Sequence, residues 1–476
     1  MKRVILIVLT IAVATGCSVF KKYSRPENIS TDKLFGEKVV VSDTTSMADI
    51  SWREFFRDKH LQEYIEQGLN NNIDMQIAAH RIVEAEATLR ASKLAFLPTV
   101  GYAPALTTDN NKYYSRQGRT AFGYSLPVSA SWEINPGTLL NNKRRAQAAL
   151  EQSRISRQSI ETQVVASIAN LYYTLLMLDA QLAISESTAA SWKENVRIMR
   201  AMKDAGMTNE ASISQTEANS CSIDASLFDL RYEIVQVENA LALVLGTTPQ
   251  TFERGTLAEQ QFNGTLKTGV PAQLLSRRPD VQKAEYSLKL AFYNTNLARS
   301  AFYPSLVLTG SGGWEDAFTR PASWFFSFAA KLAGSIFNGG KNNAALKIAK
   351  AQQESALATF RQTLLTAGSE VNNALAQCKT ASSKTDIRNR QIAALESAVY
   401  STQQLMRHSE STYLEVLTAQ QSLLSAQLLQ IADQFEGIQG TINLYRALGG
   451  GVDSVLDDES EDAPESGKVK RGKRKK

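Results

Sequence analysis

The chain carries its own outline twice. Displaced by 206 positions, NIDMQIAA (72–79) falls on RPDVQKAE (278–285), with Asp74 on Asp280, Gln76 on Gln282 and Ala78 on Ala284. The same offset lays AFLP (95–98) on AFYP (301–304). Further along, an offset of 203 sets Gly137 on Gly340, Ala146 on Ala349 and LALVLG (241–246) on LYRALG (444–449). One unit, from about Asn71 to Gly246, therefore recurs from about Arg277 to Gly449. Whatever one unit folds into, the chain must build twice.

Most of each unit is helix of unusual length. Thr138 to Ala205 contains neither Pro nor Gly, and Lys341 to Glu436 contains no Pro and only Gly368. At ~1.5 Å per residue, a helix of about 60 residues spans roughly 90 Å, more than a compact domain needs. The abundance of Ala, Gln, Ser, Leu and Glu suits long helices in close contact. The pattern bends back near Gly206-Met207-Thr208-Asn209 and near His408-Ser409-Glu410-Ser411. Each unit is expected to be a shorter helix followed by a hairpin of two long ones.

Between the short and the long helices the periodicity changes from 3.6 to 2. In FGYSLPVSASWEI, Phe122, Tyr124, Leu126, Val128, Ala130, Trp132 and Ile134 share one face, while Gly123, Ser125, Pro127, Ser129, Ser131 and Glu133 share the other. FSFAAKLAGSI alternates likewise, with Lys331 on the polar face. Past Pro304, Leu306, Leu308 and Trp314 continue the pattern. Such a face is the core of a sandwich or the lipid-facing side of an outer-membrane barrel. Two strands per repeat make four, whereas the smallest membrane barrels need about eight. An open sheet in lipid would leave a row of unpaired backbone groups, so several chains must pool their strands. Pro98 and Pro304 then mark where a helical wall passes into a strand wall, because Pro ends the helical ladder and is tolerated at a strand's start. Pro136-Gly137 and Gly339-Gly340 lie where strands must turn back into helices.

The chain opens with Lys2 and Arg3, an apolar stretch from Val4 to Ala14 and the small residues before Cys17, the proportions of a secretory signal. Ala14-Thr15-Gly16-Cys17 is similar to a bacterial lipoprotein box, which would make Cys17 the lipidated first residue; an ordinary signal with an incidental Cys is the alternative. Cys221 and Cys378 stand far apart in helical patterns, and both are expected to be small buried residues rather than ligands or a disulfide.

Nothing assembles into an active site. His60, His80 and His408 have no partner at metal-ligand spacing. GSGGWED leads into no helix, as a phosphate cradle would, and is expected in an external loop. The net charge of +5 is mild and gives no support to nucleic-acid binding. The tail DDESEDAPESGKVKRGKRKK is an acidic block followed by a basic one, expected to be disordered. No cofactor or catalytic residue is expected.

LLSRRPDVQKAEYSL, ARSAFYPSLVLTGSGG, SIFNGGKNNAALKIAKAQ, TYLEVLTAQQSLLSAQ and NLYRALGGG, in this order, give the chain its resemblance to the TolC-like outer-membrane efflux factors. It resembles specifically the lipoprotein branch that serves resistance-nodulation-division pumps. The resemblance covers nearly the whole chain. It implies a mainly α fold with membrane β: a homotrimer whose twelve-stranded barrel, four strands per chain, continues into a long periplasmic α-helical barrel. It implies a passive exit duct in the outer membrane, with outer-membrane lipid, a periplasmic adaptor (membrane fusion protein) and an inner-membrane pump as partners. The same duct used for type I protein secretion is the nearest alternative, and a coiled-coil scaffold without a pore the remote one.

The expected division is 1–17 signal region, 18–70 equatorial segment and first helix, 71–246 first repeat, 247–276 equatorial connection, 277–449 second repeat and 450–476 tail. The hairpin tips, Gly206 and its counterpart Ser409, where the family commonly has Gly, would meet the adaptor. The family also places an acidic residue at Glu415, lining the periplasmic mouth, and a second one at the position of Thr418. The alternative for Glu415 is a solvated helix face. Arg278-Pro279-Asp280 reads as a helix start, with Asp280 set against the helix dipole.

Overall fold

The computed structural model describes residues 19–26, 29, 34, 46–109, 121–260, 262, 271–317, 320–335, 337–407 and 413–451. In chain order the elements are α1 (Trp52–Phe55), α2 (Lys59–Asn71), α3 (Ile73–Leu94), β1 (Thr99–Tyr102), β2 (Ala105–Asp109), β3 (Ala121–Ile134), α4 (Pro136–Asp204) and α5 (Glu210–Leu245). The second half adds α6 (Leu274–Arg277), α7 (Pro279–Ser300), β4 (Ser305–Ala317), β5 (Arg320–Ala333), α8 (Lys341–Arg407) and α9 (Tyr413–Ala447). The long helices are 69 and 67 residues, unbroken, as the runs without Pro predict. Two compact units cut across the repeats, residues 1–32, 76–157 and 279–366 in one and 33–75, 158–278 and 367–476 in the other.

The first unit holds the only sheet among the described residues. Its order is β1/β2, β3, β4, β5, antiparallel throughout, so the first strand position is filled by two short segments that both pair with β3. The interruption falls opposite Pro127. Pro127 accepts from the Ala103 N–H at 3.2 Å, so its own ring nitrogen faces the same neighbour and offers no donor there. Pro104, next along, turns its ring nitrogen to the opposite side, so it removes a donor from the sheet's free edge instead. The ladder cannot run through and reopens as β2.

The register carries the alternation across all four positions. Tyr102 faces Val128, Leu126 faces Trp314, Trp132 faces Leu308, and Leu306 faces Leu332. GSGGWED, expected in a loop, lies instead inside β4, and Gly312 and Gly313 are there for space. A Cβ on Gly313 would meet the Leu126 carbonyl oxygen at 2.3 Å, and one on Gly312 would enter the Phe326 ring at 2.8 Å. The Phe326 ring therefore lies over Gly312, and Trp314 meets Trp324 edge to face at 5.5 Å.

In the same unit, residues 19–25 run along the helices. Asn141 donates to the carbonyls of Val19 (2.8 Å) and Gly137 (2.7 Å), Arg144 donates to Phe20 O (2.8 Å), and Arg25 grips Glu285 through two bonds of 2.8 and 2.6 Å. Val19 is buried against Gly137, where a Cβ would lie 2.7 Å from both Val19 Cγ1 and Ser300 Oγ. Gly137 was expected to serve as a turn. It sits instead at the second position of α4, behind Pro136, and its role is close approach.

The second unit is built on an aromatic core. Phe55 stacks on Tyr445 at 4.2 Å, and Phe56, Tyr173 and Phe262 close around them. Asp58 is its polar centre: one oxygen caps α2 through the His60 N–H (2.9 Å), and the other accepts from Tyr172 Oη (2.7 Å) and Gln260 Nε2 (2.9 Å). Burial, with the Asp58 carboxylate beside it, pushes the Tyr172 phenol far above its ordinary range, so it is held as a donor. Arg254 ties the connecting segment to α4 and α5 through Asp179 (2.5 and 3.0 Å) and buried Glu238 (2.7 Å).

The duplication reappears here bond for bond. Asn72 Nδ2 donates to Val244 O (2.8 Å), and its counterpart Arg278 donates to Ala447 O (3.0 Å) while reaching Glu370 (2.7 Å). Gly246 (φ 69°) and Gly449 (φ 93°) end α5 and α9 in the left-handed conformation, with Thr247 N–H bonded to Ala242 O and Gly450 N–H to Tyr445 O, both 2.9 Å. Each presses on the start of its repeat, since a Cβ on Gly246 would meet Asn71 O at 2.6 Å and one on Gly449 would meet Arg277 O at 2.8 Å.

Candidate pore wall and mouth

The sheet has one face for oil and one for water. On the first, Val100, Tyr102, Leu106, Tyr124, Leu126, Val128, Trp324, Phe326, Phe328 and Leu332 are all exposed in the single chain, Phe326 to 86% and Phe328 to 76%. Contiguous apolar surface on this scale marks contact with lipid or protein rather than water. The opposite face presents Thr99, Gly101, Ser125, Ser129, Ser131, Thr309, Ser311 and Ser327, as the register requires. Among the described residues no helix is long and apolar enough to cross a membrane, a statement that leaves a β-structure untouched.

The junction residues stand at the sheet's margin. α3 ends at Leu94 and α7 at Ser300, and in each case a short turn leads through Pro98 or Pro304 into β1 or β4. Pro304 is also packed, since a Cβ on Gly334 would reach its own Cβ at 3.3 Å. On the return, Gly339 (φ 63°) and Gly340 (φ 81°) take the left-handed conformation directly before α8, the turn role expected of them.

At the other end of the helices, Gly206 (φ 71°) closes α4: its N–H bonds to Lys203 O (2.8 Å) and the Met207 N–H to Met202 O (2.8 Å). Asn209 then caps α5 by accepting from Ser212 N–H (3.0 Å). This tip is clasped by Lys203 with Glu210 and Arg200 with Glu217. Ser409 lies outside the described residues, as do Cys17, His408 and the tail. Glu415 falls in the first turn of α9, exposed, and Thr418 one turn on shares its face. The Thr418 hydroxyl donates back to Leu414 O (2.8 Å), while Val416 and Leu417 between them are buried. A hydrogen bond from Asn195 to Gln420 (2.9 Å) links α4 to α9 just beyond.

Asp280 sits in the first turn of α7, behind Pro279. Cys378 is buried, and burial raises its thiol; Cys221 is exposed in the single chain, against expectation. Among the described residues no group of three His, Cys, Asp or Glu could hold a metal ion. Sequence reasoning missed the docking of residues 19–25 and the Arg254 cluster. Neither has a spacing signal, since the partners are 16 to 260 positions apart.

The sequence pattern of the family described as Outer membrane efflux protein matches twice, over residues 64–247 and 270–450. Among curated relatives, the probable outer membrane lipoprotein SilC of Salmonella typhimurium is 27% identical over 460 residues, covering 94% of this chain and 99% of that protein. The probable efflux pump outer membrane protein TtgC of Pseudomonas putida is 29% identical over 474 residues, covering 94% and 96%. A solved structure of CusC, described in terms of folding and transmembrane channel formation, superposes with a TM-score of 0.80 at 26% identity over 90% of this chain and 99% of that one. The two matches fall on the two repeats, and the fold agrees along the chain's length: this protein belongs to the outer membrane efflux protein family.

Proposed function

We propose that three copies of this chain pool their sheets into one closed twelve-stranded barrel, and that the resulting channel is the passive exit duct of a tripartite efflux system. The observation that carries this reading is the sheet itself. A single chain presents four strand positions with a continuous apolar face outward, a polar face inward and two open edges. Open edges cannot stand in hydrocarbon, where each unpaired group costs several kcal/mol. Copies of the same sheet, joined edge to edge, remove the cost.

The chain then has no catalysis to perform. An adaptor and an inner-membrane pump supply direction and energy, and the duct supplies a wet path. The hairpin tips at Gly206 and Ser409 face the adaptor, Glu415 and Thr418 line the mouth, and lipidated Cys17 adds an anchor in the outer membrane. The docking of Val19 beside Gly137, three residues past the end of β3, supports that anchor, because it holds the chain just after Cys17 close to the sheet's margin.

The test is twofold. The protein extracted from outer membranes should migrate as a heat-labile trimer, and cysteines placed at the Gly206 tip should cross-link to a periplasmic adaptor in whole cells. A soluble monomer, or cross-links to outer-membrane neighbours alone, would remove the reading.

A further inference from the structure

Near the helix junctions the polar face of the sheet carries two charged side chains, and they stand at one level; by register Glu315 and Asp109 fall on the same face only toward the far ends of the strands. Glu133 is paired in register with Val307, and Val307 with Lys331, so the three residues form one rung across β3, β4 and β5. Between this rung and those far ends the described side chains of that face are small, hydroxylated or apolar. Glu133 and Lys331 are both exposed, and neither takes part in an ion pair among the described residues. Two strand spacings of ~4.8 Å separate them by about 10 Å, too far for a salt bridge. They face the lumen as separate charges.

The strand order makes their arrangement around a closed barrel regular. Within one chain the positions run β1/β2, β3 with Glu133, β4, β5 with Lys331. When β5 meets the first strand position of the next copy, two steps again lead from Lys331 to the next Glu133. Negative and positive side chains therefore alternate on every second strand, all the way round.

We propose that Glu133 and Lys331 form a charge-compensated belt at the base of the barrel lumen that makes this level of the wall indifferent to the charge of what passes. This rests on the trimeric duct reading. A ring of one sign would raise local counter-ion concentration and oppose ions of like charge. Alternating signs at close spacing cancel toward the axis, so cations, anions and zwitterions meet the same wall. The belt is thus a specificity device that works by cancellation, and removing either half should uncover the other.

The experiment is reversal-potential measurement on purified protein in planar bilayers under a potassium chloride gradient. At 0.1 M salt, where the Debye length is ~10 Å, Lys331→Gln should raise the cation-to-anion permeability ratio at least about twofold, and Glu133→Gln should lower it by a similar factor. At 1 M, with a Debye length of ~3 Å, both shifts should fade. The double neutralisation should return to the wild-type ratio. Conducting single variants with unchanged or same-direction ratios would overturn the belt while leaving the duct intact. Should a single variant fail to assemble, the exchanged pair Glu133→Lys with Lys331→Glu keeps the belt and is expected to keep the wild-type ratio; a large departure overturns it. Wild-type protein that forms no channel at all would overturn the duct reading, and the belt with it.

Discussion

Replacing Gly246 by Ala tests the packing that joins each repeat's end to its beginning. Two costs add. The left-handed backbone at φ 69° disfavours any side chain by about 1–2 kcal/mol. The new Cβ would also lie 2.6 Å from the Asn71 carbonyl oxygen, a backbone atom that cannot swing away, and overpacking of this kind costs about 1–3 kcal/mol. Gly206→Ala is the internal control, because φ is 71° there and nothing lies within 4 Å of the added atom. The difference between the two variants, about 1–3 kcal/mol, isolates the close approach. It corresponds to about 5- to 150-fold in the rate of thermal unfolding if the contact is lost in the transition state. Gly449→Ala, whose Cβ would meet Arg277 O at 2.8 Å, should behave like Gly246→Ala. The assay is loss of helical circular dichroism and of the oligomer band against time at one elevated temperature. Equal rates for all three variants, or Gly206→Ala the fastest, would refute the reasoning.

Three further outcomes are expected. Leu126→Arg, on the apolar face, should lose assembly by about 2–4 kcal/mol at mid-membrane depth, while Ser129→Arg on the other face should assemble; equal defects in outer-membrane yield would reverse the facing. Cys17→Ala should abolish incorporation of radiolabelled palmitate, and label that persists would place the acyl group elsewhere. Glu415→Gln should reduce block by multivalent cations in bilayer recordings at unchanged trimer yield, because in the proposed trimer three such carboxylates would meet at the mouth and attract these ions; unchanged block would return Glu415 to an ordinary solvated face.

What was legible in the sequence was whatever repeats at a fixed period. The strand faces follow from alternation, the unbroken helices from the scarcity of Gly and Pro, and the duplication from two constant offsets. Even the positive φ of Gly206, between two helical patterns, and of Gly340, between a strand pattern and a helical one, is written in their neighbourhood. Contacts between distant segments were not. Gly137 looked like a turn residue until Val19 and Ser300 were found against it, and GSGGWED looked like a loop until Gly312 and Gly313 proved to be the floor beneath Phe326 and the neighbour of the β3 backbone. Composition announces that a glycine is needed; only the partner says whether for bending or for room. Of the candidate site, Glu415 and Thr418 share a face as helical spacing requires, whereas their approach to other copies is a property of the assembly.

The interruption between β1 and β2 bears on what happens to the chain before it finds its copies. A newly delivered monomer exposes two β-edges, and a flat uninterrupted edge will zip to almost any extended segment nearby. Here one edge is cut at Pro104, where no donor is available, and the other, β5, begins with Arg320-Pro321. A passing strand gains only a few consecutive bonds on either side before the ladder fails. In the trimer proposed above, a second copy of the chain would arrive with helices, turns and sheet already in matching order and make good the missing contacts elsewhere. The broken edge thus acts as a sorting step, leaving chance encounters short-lived and giving the correct neighbour time to stay.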